Sequence, residues 1–348
     1  MSIFKAHIRQ MGAYKPPLEG RSPKSHLLLD FNERTLPVSK PVMDALTDYI
    51  HSGCMQTYPS YGDITERLAS YCGVNEDQVM ITNGSDQGID LIIRASCNAG
   101  DEAIIPGPTF AMYHQCARIE NLKIIEPAYS KKKGFPVDEV LASITDKTKL
   151  IVIANPNNPC GTAVPKEDIL RIAAAAPDCT ILVDECYYEY TQLSVAGVLE
   201  QYPNIVITRT FSKTWGLPSI RFGYVLSSAS NILPLLSVRG PYDVNQLAVI
   251  AVQAALNHPE YTRDYVKEVM NESKPLLEKW LDKNNLSYWP SSANYIWLFP
   301  DNPDEMNKAL IDAGILVRPK SDGDGRKGLR ITIGTREQTE RLIKVLSS

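Results

Sequence analysis

The chain has 348 residues, of which 44% are hydrophobic and 22% are charged, and its formal net charge at pH 7 is −4. These values are typical of a globular protein with room for two domains, and they argue against intrinsic disorder, a collagen-like chain and a coiled coil. The 36 basic and 40 acidic residues are mixed along the chain, so we expect no surface for nucleic acid or for an anionic membrane.

The first residues of the chain lack the apolar run of a secretion signal, and no apolar run approaches the roughly 18 residues needed to cross a bilayer. The seven cysteines include no Cys-x-x-Cys pair, which argues against a disulfide framework and a zinc site. The five histidines also lack metal-ligand spacing. We therefore expect a cytoplasmic protein without a metal site.

Short runs rich in β-branched residues recur in the first two thirds of the chain, and each predicts a strand. The seven predicted strands are 79–82, 103–105, 122–125, 150–153, 181–183, 205–208 and 223–226. Helical patterns, such as 89–97 and 166–176, lie between several of them. Nearly continuous apolar strands separated by helices indicate a parallel sheet covered on both faces. The predicted fold class is α/β, with a seven-stranded mainly parallel sheet in a large domain.

After about residue 260 the pattern changes to an amphipathic helix over 261–284, strands at 295–299 and 329–333, and a final helix from Glu337. This mixture predicts a smaller α+β domain. We assign residues 1–45 to an N-terminal arm that belongs to the small domain, residues 46–255 to the large domain and residues 256–348 to the small C-terminal domain.

Residues 323–328 (GDGRKG) fit the GxGxxG pattern of a dinucleotide-binding turn. The context does not fit this function, because a strand pattern follows and only 20 residues remain, too few for the βαβ unit that a dinucleotide needs. We predict that the segment is a flexible hairpin loop.

Polar residues follow three successive predicted strands, where open α/β sheets bind ligands. The segments are 155–161 (NPNNPCG), 184–187 (DECY), and Ser212-Lys213 with Arg221 eight residues after the lysine. Taken alone, Asp184 could be a helix cap, Asn158 a turn former and Lys213 a surface lysine. Together, in this order, they predict a functional site.

With these motifs the chain resembles the fold-type I pyridoxal-phosphate (PLP) aminotransferases, and most closely the histidinol-phosphate aminotransferase family. The resemblance extends over nearly the whole chain. Further matching segments are Tyr58-Pro59, 83–86 (NGSD), 106–110 (PGPTF) and 329–334 (LRITIG). The resemblance implies that 46–255 is the PLP-binding domain.

The resemblance implies three catalytic residues. Lys213 would form the covalent bond to the cofactor aldehyde and move a proton at the substrate Cα. Asp184 would keep the pyridine nitrogen protonated, and Tyr187, together with Asn158, would donate to the ring oxygen. We expect the cofactor bond and the nearby Arg221 to favour the neutral amine of the lysine.

The resemblance also implies how the cofactor is held. Its phosphate would lie at a helix that begins at Gly84, where amides and the helix dipole attract an anion. The implied phosphate contacts are Ser85, Asp86, Ser212 and Arg221. Phe110 would stack on the pyridine ring, and Tyr58 would reach the cofactor phosphate of the neighbouring subunit in a homodimer with shared active sites.

The substrate contacts implied by the resemblance are Arg330, Arg318, Tyr14 and Asn32. Arg330 corresponds to the arginine that holds the substrate carboxylate, and Arg318, on a flanking strand, would help to hold a substrate phosphate together with Tyr14.

The chain departs from the family pattern in three segments. Arg34 and Thr35 stand where Asn-Pro is common, Tyr61 replaces a proline, and Cys160 replaces a threonine. We expect the first two segments to line the substrate side and to bear on the amino donor, and Cys160 to be a steric substitute.

The leading functional hypothesis is amino-group exchange between L-histidinol phosphate, or a similar phosphorylated or aromatic amine, and 2-oxoglutarate. The alternatives are a threonine-phosphate decarboxylase-like lyase and an aromatic or specialised biosynthetic aminotransferase. A ligand-sensing module of a transcription regulator is a further alternative, but it would require a DNA-binding domain and a basic patch.

Overall fold

Strands and helices alternate along most of the chain. The computed structural model describes residues 3–13 and 15–347. The strands are β1 (Leu27–Leu29), β2 (Val79–Thr82), β3 (Glu102–Ile104), β4 (Lys123–Ile125), β5 (Thr148–Ala154), β6 (Thr180–Asp184), β7 (Ile205–Thr210), β8 (Gly223–Leu226), β9 (Ser287–Trp289), β10 (Tyr295–Phe299), β11 (Ile315–Ser321) and β12 (Lys327–Thr332). The α-helices are α1 (Ala6–Gln10), α2 (Lys40–His51), α3 (Ile64–Cys72), α4 (Gly84–Ser96), α5 (Ala111–Ile119), α6 (Val137–Ala142), α7 (Lys166–Ala175), α8 (Tyr188–Thr191), α9 (Ala229–Val238), α10 (Gln246–Asn257), α11 (Glu260–Glu268), α12 (Lys274–Lys283), α13 (Pro303–Asp312) and α14 (Arg336–Leu346).

The larger sheet holds the seven strands predicted from the sequence, in the order β2-β8-β7-β6-β5-β3-β4. Neighbouring strands from β7 to β4 are parallel, whereas β8 is antiparallel to both β7 and β2. The predicted α/β class with a seven-stranded mainly parallel sheet is therefore confirmed.

The side chains of strand β5 are buried on both faces of this sheet. Leu150 and Val152 belong to a core cluster with α4, α5 and α9, whereas Ile151 and Ile153 belong to a second cluster with α3, α7 and α10. Successive side chains of a strand point to opposite faces, so a continuous apolar run buries both. Because β5, β6 and β7 are parallel, their carboxyl ends meet at one edge of the sheet.

The smaller sheet has the order β1-β11-β12-β10-β9. Strand β1 pairs in parallel with β11, so the N-terminal segment joins the C-terminal part of the chain. Strands β11 and β12 are antiparallel and are joined through residues 322–326. The GxGxxG segment therefore lies in a hairpin, as predicted. The division of the chain at residues 45 and 255 stays a prediction.

The helix predicted over 261–284 is interrupted. A π-helical turn, Val269–Ser273, separates α11 from α12. Pro275 has no N–H to donate to the carbonyl four residues earlier, and π-helical turns occur where the regular hydrogen-bond pattern is broken. This proline is the feature that the sequence-based prediction overlooked.

Within residues 3–13 and 15–347, no helix combines the length and the apolar character that a membrane span requires. The same residues contain no group of three or more histidine, cysteine or acidic side chains arranged to hold a metal ion.

Candidate active site

A cavity of about 490 Å³ lies at the carboxyl ends of β5, β6 and β7. Every residue predicted to bind the cofactor lines it, except Tyr58. These lining residues are Ser85, Asp86, Phe110, Asn158, Asp184, Tyr187, Ser212, Lys213 and Arg221. Their side chains come from five separate segments, and the parallel strand ends bring them together.

One end of the cavity is suited to an anion. Helix α4 begins at Gly84, and the side chain of its N-cap residue, Asn83, makes no capping hydrogen bond, so the first amide N–H groups of the helix are directed to this end. Arg221 Nη2 donates a hydrogen bond of 2.7 Å to Asp86 Oδ2. A Cβ atom on Gly84 would lie 2.5 Å from Arg221 Nη2, and the φ of Gly84 is +76°. Glycine is therefore required where the helix and the guanidinium approach each other.

Asp184 lies at the end of β6, where its carboxylate is buried. Burial raises the pKa of Asp184 to about 6, and hydrogen bonds from the hydroxyls of Tyr113 and Thr208 oppose this rise. The distances from these hydroxyls to the carboxylate oxygens are 2.5 Å and 3.0 Å.

Neither hydroxyl partner of Asp184 was among the residues predicted from the sequence. Tyr113 follows Phe110 by three residues at the start of α5, and residues with this spacing lie on one side of a helix. The rings of the two residues are in edge-to-face contact, with centroids 5.8 Å apart. This spacing was the signal that could have identified Tyr113.

Lys213 faces the cavity, and its Nζ donates a hydrogen bond of 2.9 Å to the carbonyl of Phe31. Burial lowers the pKa of Lys213, and the positive charge of Arg330 contributes in the same direction. Arg221, which was expected in this role, is paired with Asp86 at 2.7 Å, and its effect on the lysine stays a prediction.

Tyr187 and Asn158 connect the cavity to the smaller sheet. The Tyr187 hydroxyl accepts a hydrogen bond of 2.8 Å from Asn32 Nδ2, and burial raises the pKa of Tyr187. Asn158 Oδ1 accepts a hydrogen bond of 2.5 Å from Arg330 Nη1. Asn32, predicted to contact the substrate, is buried beside Thr332 and reaches the site through Tyr187.

The two predicted substrate arginines are cross-strand neighbours, since Arg318 on β11 pairs with Arg330 on β12. Arg330 Nη2 donates to the carbonyl of Asp30 at 2.5 Å, while its buried Nε has no partner among the described residues. The guanidinium of Arg318 lies 5.4 Å from the ring centroid of Phe31, which lines the cavity. Tyr14, the remaining predicted substrate contact, lies outside the described residues.

Tyr58 lies away from the cavity. Its side chain is 76% exposed and is stacked on Tyr242, with ring centroids 4.3 Å apart. Within one chain Tyr58 therefore contributes no side chain to the lining of this cavity.

The three departures from the family pattern do not contribute side chains to the cavity lining. Arg34 donates to the carbonyls of Thr214 and Tyr261, at 3.1 Å and 2.9 Å. The Tyr61 hydroxyl donates to the carbonyl of Pro241 at 3.3 Å. Cys160 is buried, and its Sγ accepts a hydrogen bond from Asn157 Nδ2 at 3.1 Å. These contacts hold the three segments in the fold, and the bearing of the first two on the amino donor stays a prediction.

The chain matches known proteins over nearly its full length. The family model described as aminotransferase class I and II matches residues 25–346. The histidinol-phosphate aminotransferase of Dehalococcoides mccartyi is 35% identical over 341 residues, which cover 96% of this chain and 93% of that protein. The corresponding enzyme of Bacillus licheniformis is 30% identical over 361 residues, covering 100% and 99%.

A solved structure has the same fold. The histidinol-phosphate aminotransferase of Sinorhizobium meliloti, solved in complex with pyridoxal-5'-phosphate, has a TM-score of 0.88 and 22% identity, and the match covers 99% of this chain and 97% of that one. Taken with the full-length family match, these comparisons show that the chain is a PLP-dependent enzyme and that it belongs to the class I and II aminotransferases.

Proposed function

We propose that this aminotransferase exchanges an amino group between L-histidinol phosphate, or a similar phosphorylated or aromatic amine, and 2-oxoglutarate. The observation that carries the proposal is the pairing of Arg318 with Arg330 beside the cavity. Neither guanidinium has a carboxylate partner within 4.0 Å among the described residues, and guanidinium groups bind phosphate and carboxylate bidentately. The names of the full-length relatives support the same donor.

The residues around the cavity fit PLP. When bound, PLP supplies an aldehyde that takes up the amino group and a pyridine ring that accepts electrons from the substrate Cα. The first turn of α4 with Ser85, Asp86, Ser212 and Arg221 would hold the phosphate. The Asp184 carboxylate would pair with the protonated ring nitrogen, and Phe110 would pack on the ring face.

Lys213 is the proposed base. A lysine with its ordinary pKa is protonated at neutral pH and cannot accept a proton, whereas burial of Lys213 favours the neutral amine. The neutral Nζ would take the proton from the substrate Cα and return it to the cofactor side. Tyr187 and Asn158, which line the same cavity, would donate hydrogen bonds to the ring oxygen and fix the orientation of the ring.

The two arginines would serve different anions. Arg330 is held by Asn158 and by the carbonyl of Asp30, so its position is fixed, and it would bind the substrate anion in both half-reactions. Arg318 would add a second guanidinium that a phosphate dianion uses more fully than a carboxylate. With Tyr14, these residues form the proposed substrate set, in which Asn32 acts through Tyr187.

We also propose a homodimer in which each active site receives Tyr58 from the other subunit. Tyr58 and Tyr242 form an exposed aromatic pair. Met43 and Ile50 on α2 are large apolar side chains that are also exposed, each by 51%. Exposed apolar groups are typical of interaction surfaces where they are contiguous, as the rings of Tyr58 and Tyr242 are. The division into two domains and the cytoplasmic location remain predictions.

The donor and the type of reaction can be tested together. The PLP-loaded enzyme is mixed with histidinol phosphate, aromatic amino acids or threonine phosphate, and the absorbance of the cofactor is followed while released carbon dioxide is measured. We expect histidinol phosphate to convert the cofactor to its amine form without gas, and 2-oxoglutarate to reverse the conversion. Release of carbon dioxide from threonine phosphate would favour the lyase instead, and preference for an aromatic amino acid would favour the specialised aminotransferase.

A further inference from the structure

A third cation lies beside the two arginines of the proposed substrate site. Residues two apart on a strand share a face, so Lys320 lies on the same face of β11 as Arg318. Arg318 is directly opposite Arg330 in the antiparallel pair, and directly opposed residues also share a face. Three positive side chains therefore meet on one face of the hairpin.

These three charges are not neutralised by the described part of the chain. Neither Lys320 nor either arginine has an acidic oxygen within 4.0 Å among the described residues, whereas Asp30, the acid near Arg330, is paired with Arg21 at 2.9 Å. Burial, and then the charges of Arg330 and Arg318, lower the pKa of Lys320 to about 8. Cations that lie close together and partly buried, without an anion between them, repel one another, and each disfavours the charged form of its neighbours. A ligand with more than one negative charge would relieve this repulsion, so the cluster is suited to such a ligand.

The residue directly opposite Lys320 on β12 has no side chain. The cross-strand partner is Gly328, where a Cβ atom would lie 2.7 Å from the carbonyl oxygen of Leu298. Lys327, the next residue back along β12, differs in its surroundings, since it is exposed and paired with Asp304 at 2.6 Å. The hairpin therefore carries one lysine with an acidic partner and one lysine directed to the arginines.

We propose that Lys320 is a third cation of the substrate anion site and that it selects a phosphate dianion over a carboxylate. A carboxylate has two oxygens, which the fork of Arg330 can occupy, whereas a phosphate has three terminal oxygens and a second charge for Arg318 and Lys320. This inference rests on the proposed function for the identity of the substrate, but the anion site itself can be tested without it.

The first test compares Lys320→Met with Lys320→Arg, and uses Lys327→Met as a control that removes a charge from the same hairpin. The amino-donating half-reaction is measured with histidinol phosphate, with unphosphorylated histidinol and with glutamate. For Lys320→Met we expect kcat/KM for histidinol phosphate to fall by about tenfold or more, the value of a charged hydrogen bond. The kcat/KM values of Lys320→Met for unphosphorylated histidinol and for glutamate should stay within about twofold of the wild-type values.

Two further results are expected from the same series. Lys320→Arg should retain most of the preference for the phosphorylated donor because the charge is kept, and Lys327→Met should resemble the wild type. Equal losses for all three donors in Lys320→Met, which indicate a structural role, would overturn the inference. So would an unchanged preference for the phosphorylated donor.

A second measurement separates this inference from the proposed function. Inorganic phosphate is tested as a competitive inhibitor of the glutamate half-reaction in the PLP-loaded enzyme. We expect its inhibition constant to rise by about tenfold in Lys320→Met and to change little in Lys327→Met. If the wild type accepts no phosphorylated amine but phosphate inhibition depends on Lys320, the proposed donor is wrong and the anion site stands. Inhibition that does not depend on Lys320 rejects the site itself.

Discussion

The phenol of Tyr113 donates a hydrogen bond of 2.5 Å to Oδ2 of Asp184. This hydrogen bond stabilises the ionised carboxylate in a buried position where burial raises its pKa to about 6. Since the ionised form is the one that can pair with a protonated ring nitrogen, Tyr113 is a positioning residue for the carboxylate that we propose to bind the cofactor.

Tyr113→Phe should therefore raise the pKa of Asp184 above its present value, because the hydrogen bond that lowers it is lost while burial remains. In the wild type, PLP affinity of the cofactor-free enzyme should increase as pH rises through about 6, and in the variant this midpoint should lie at higher pH. Tyr129→Phe, which removes a buried phenol from the core cluster on the opposite face of the sheet, serves as the control. An unchanged midpoint in Tyr113→Phe would remove Tyr113 from this role.

Lys213→Ala should still bind PLP but should lose transamination by at least about a hundredfold, the lower range for proton transfer by a positioned base. The remaining contacts at the helix α4 end of the cavity would hold the cofactor. Borohydride should attach PLP covalently to the wild type, and peptide mapping should find the label on Lys213. A label on another lysine would contradict the site assignment.

Arg318→Ala and Arg330→Ala should differ in their effects on the two half-reactions. Because a hydrogen bond to a charged group contributes about 1.5–3 kcal/mol, Arg318→Ala should lower kcat/KM for the phosphorylated amine by about tenfold to a hundredfold. It should lower the value for glutamate less. Arg330→Ala should reduce both, because the proposed site uses this residue for both anions. Equal losses for the two donors in Arg318→Ala would count against the phosphate role.

Arg34→Ala should lower the free energy of unfolding without changing the preferred donor. The buried guanidinium donates to two carbonyls and lies over the rings of Tyr261 and Tyr265, 3.7 Å and 4.4 Å from their centroids. We expect a loss of about 3 kcal/mol in denaturant unfolding, from the range for charged hydrogen bonds. The exposed pair of Lys40 and Asp44 provides the control, since Lys40→Ala should cost less than about 0.5 kcal/mol. If Arg34→Ala changed which amino donor the enzyme prefers, Arg34 would have to contribute to substrate recognition.

Tyr58→Phe should weaken PLP binding by about tenfold, since one hydrogen bond to the phosphate of the neighbouring subunit would be lost. Tyr242→Phe is the matched control from the same aromatic pair. Mixing Tyr58→Phe subunits with Lys213→Ala subunits should restore full affinity and activity at one site of each mixed dimer, because that site combines an intact Lys213 with an intact Tyr58. A protein that sediments as a monomer at assay concentrations, or a mixture without recovery, would reject the shared site.

Much of the site could be predicted because its residues follow apolar strands. The runs at β5, β6 and β7 are recognisable from composition, and the carboxyl ends of parallel strands meet at one edge. The positions of Asn158, Asp184 and Lys213 around one cavity follow from this rule together with the family motifs. The helix beginning at Gly84 was predicted in the same way, from residues that are adjacent in the sequence.

The sequence by itself therefore determined the α/β class, the seven strands of the larger sheet and the motifs that line the cavity, because these depend on local periodicity and on short segments. Only the tertiary structure decided which distant residues act on them. Arg330 donates to the carbonyl of Asp30, 300 residues away, and Asp184 receives its hydrogen bond from Tyr113 across 71 residues. Such pairs form only when the two sheets and their helices pack against each other. The spacing of residues along the chain does not indicate which side chains this packing brings within hydrogen-bond distance.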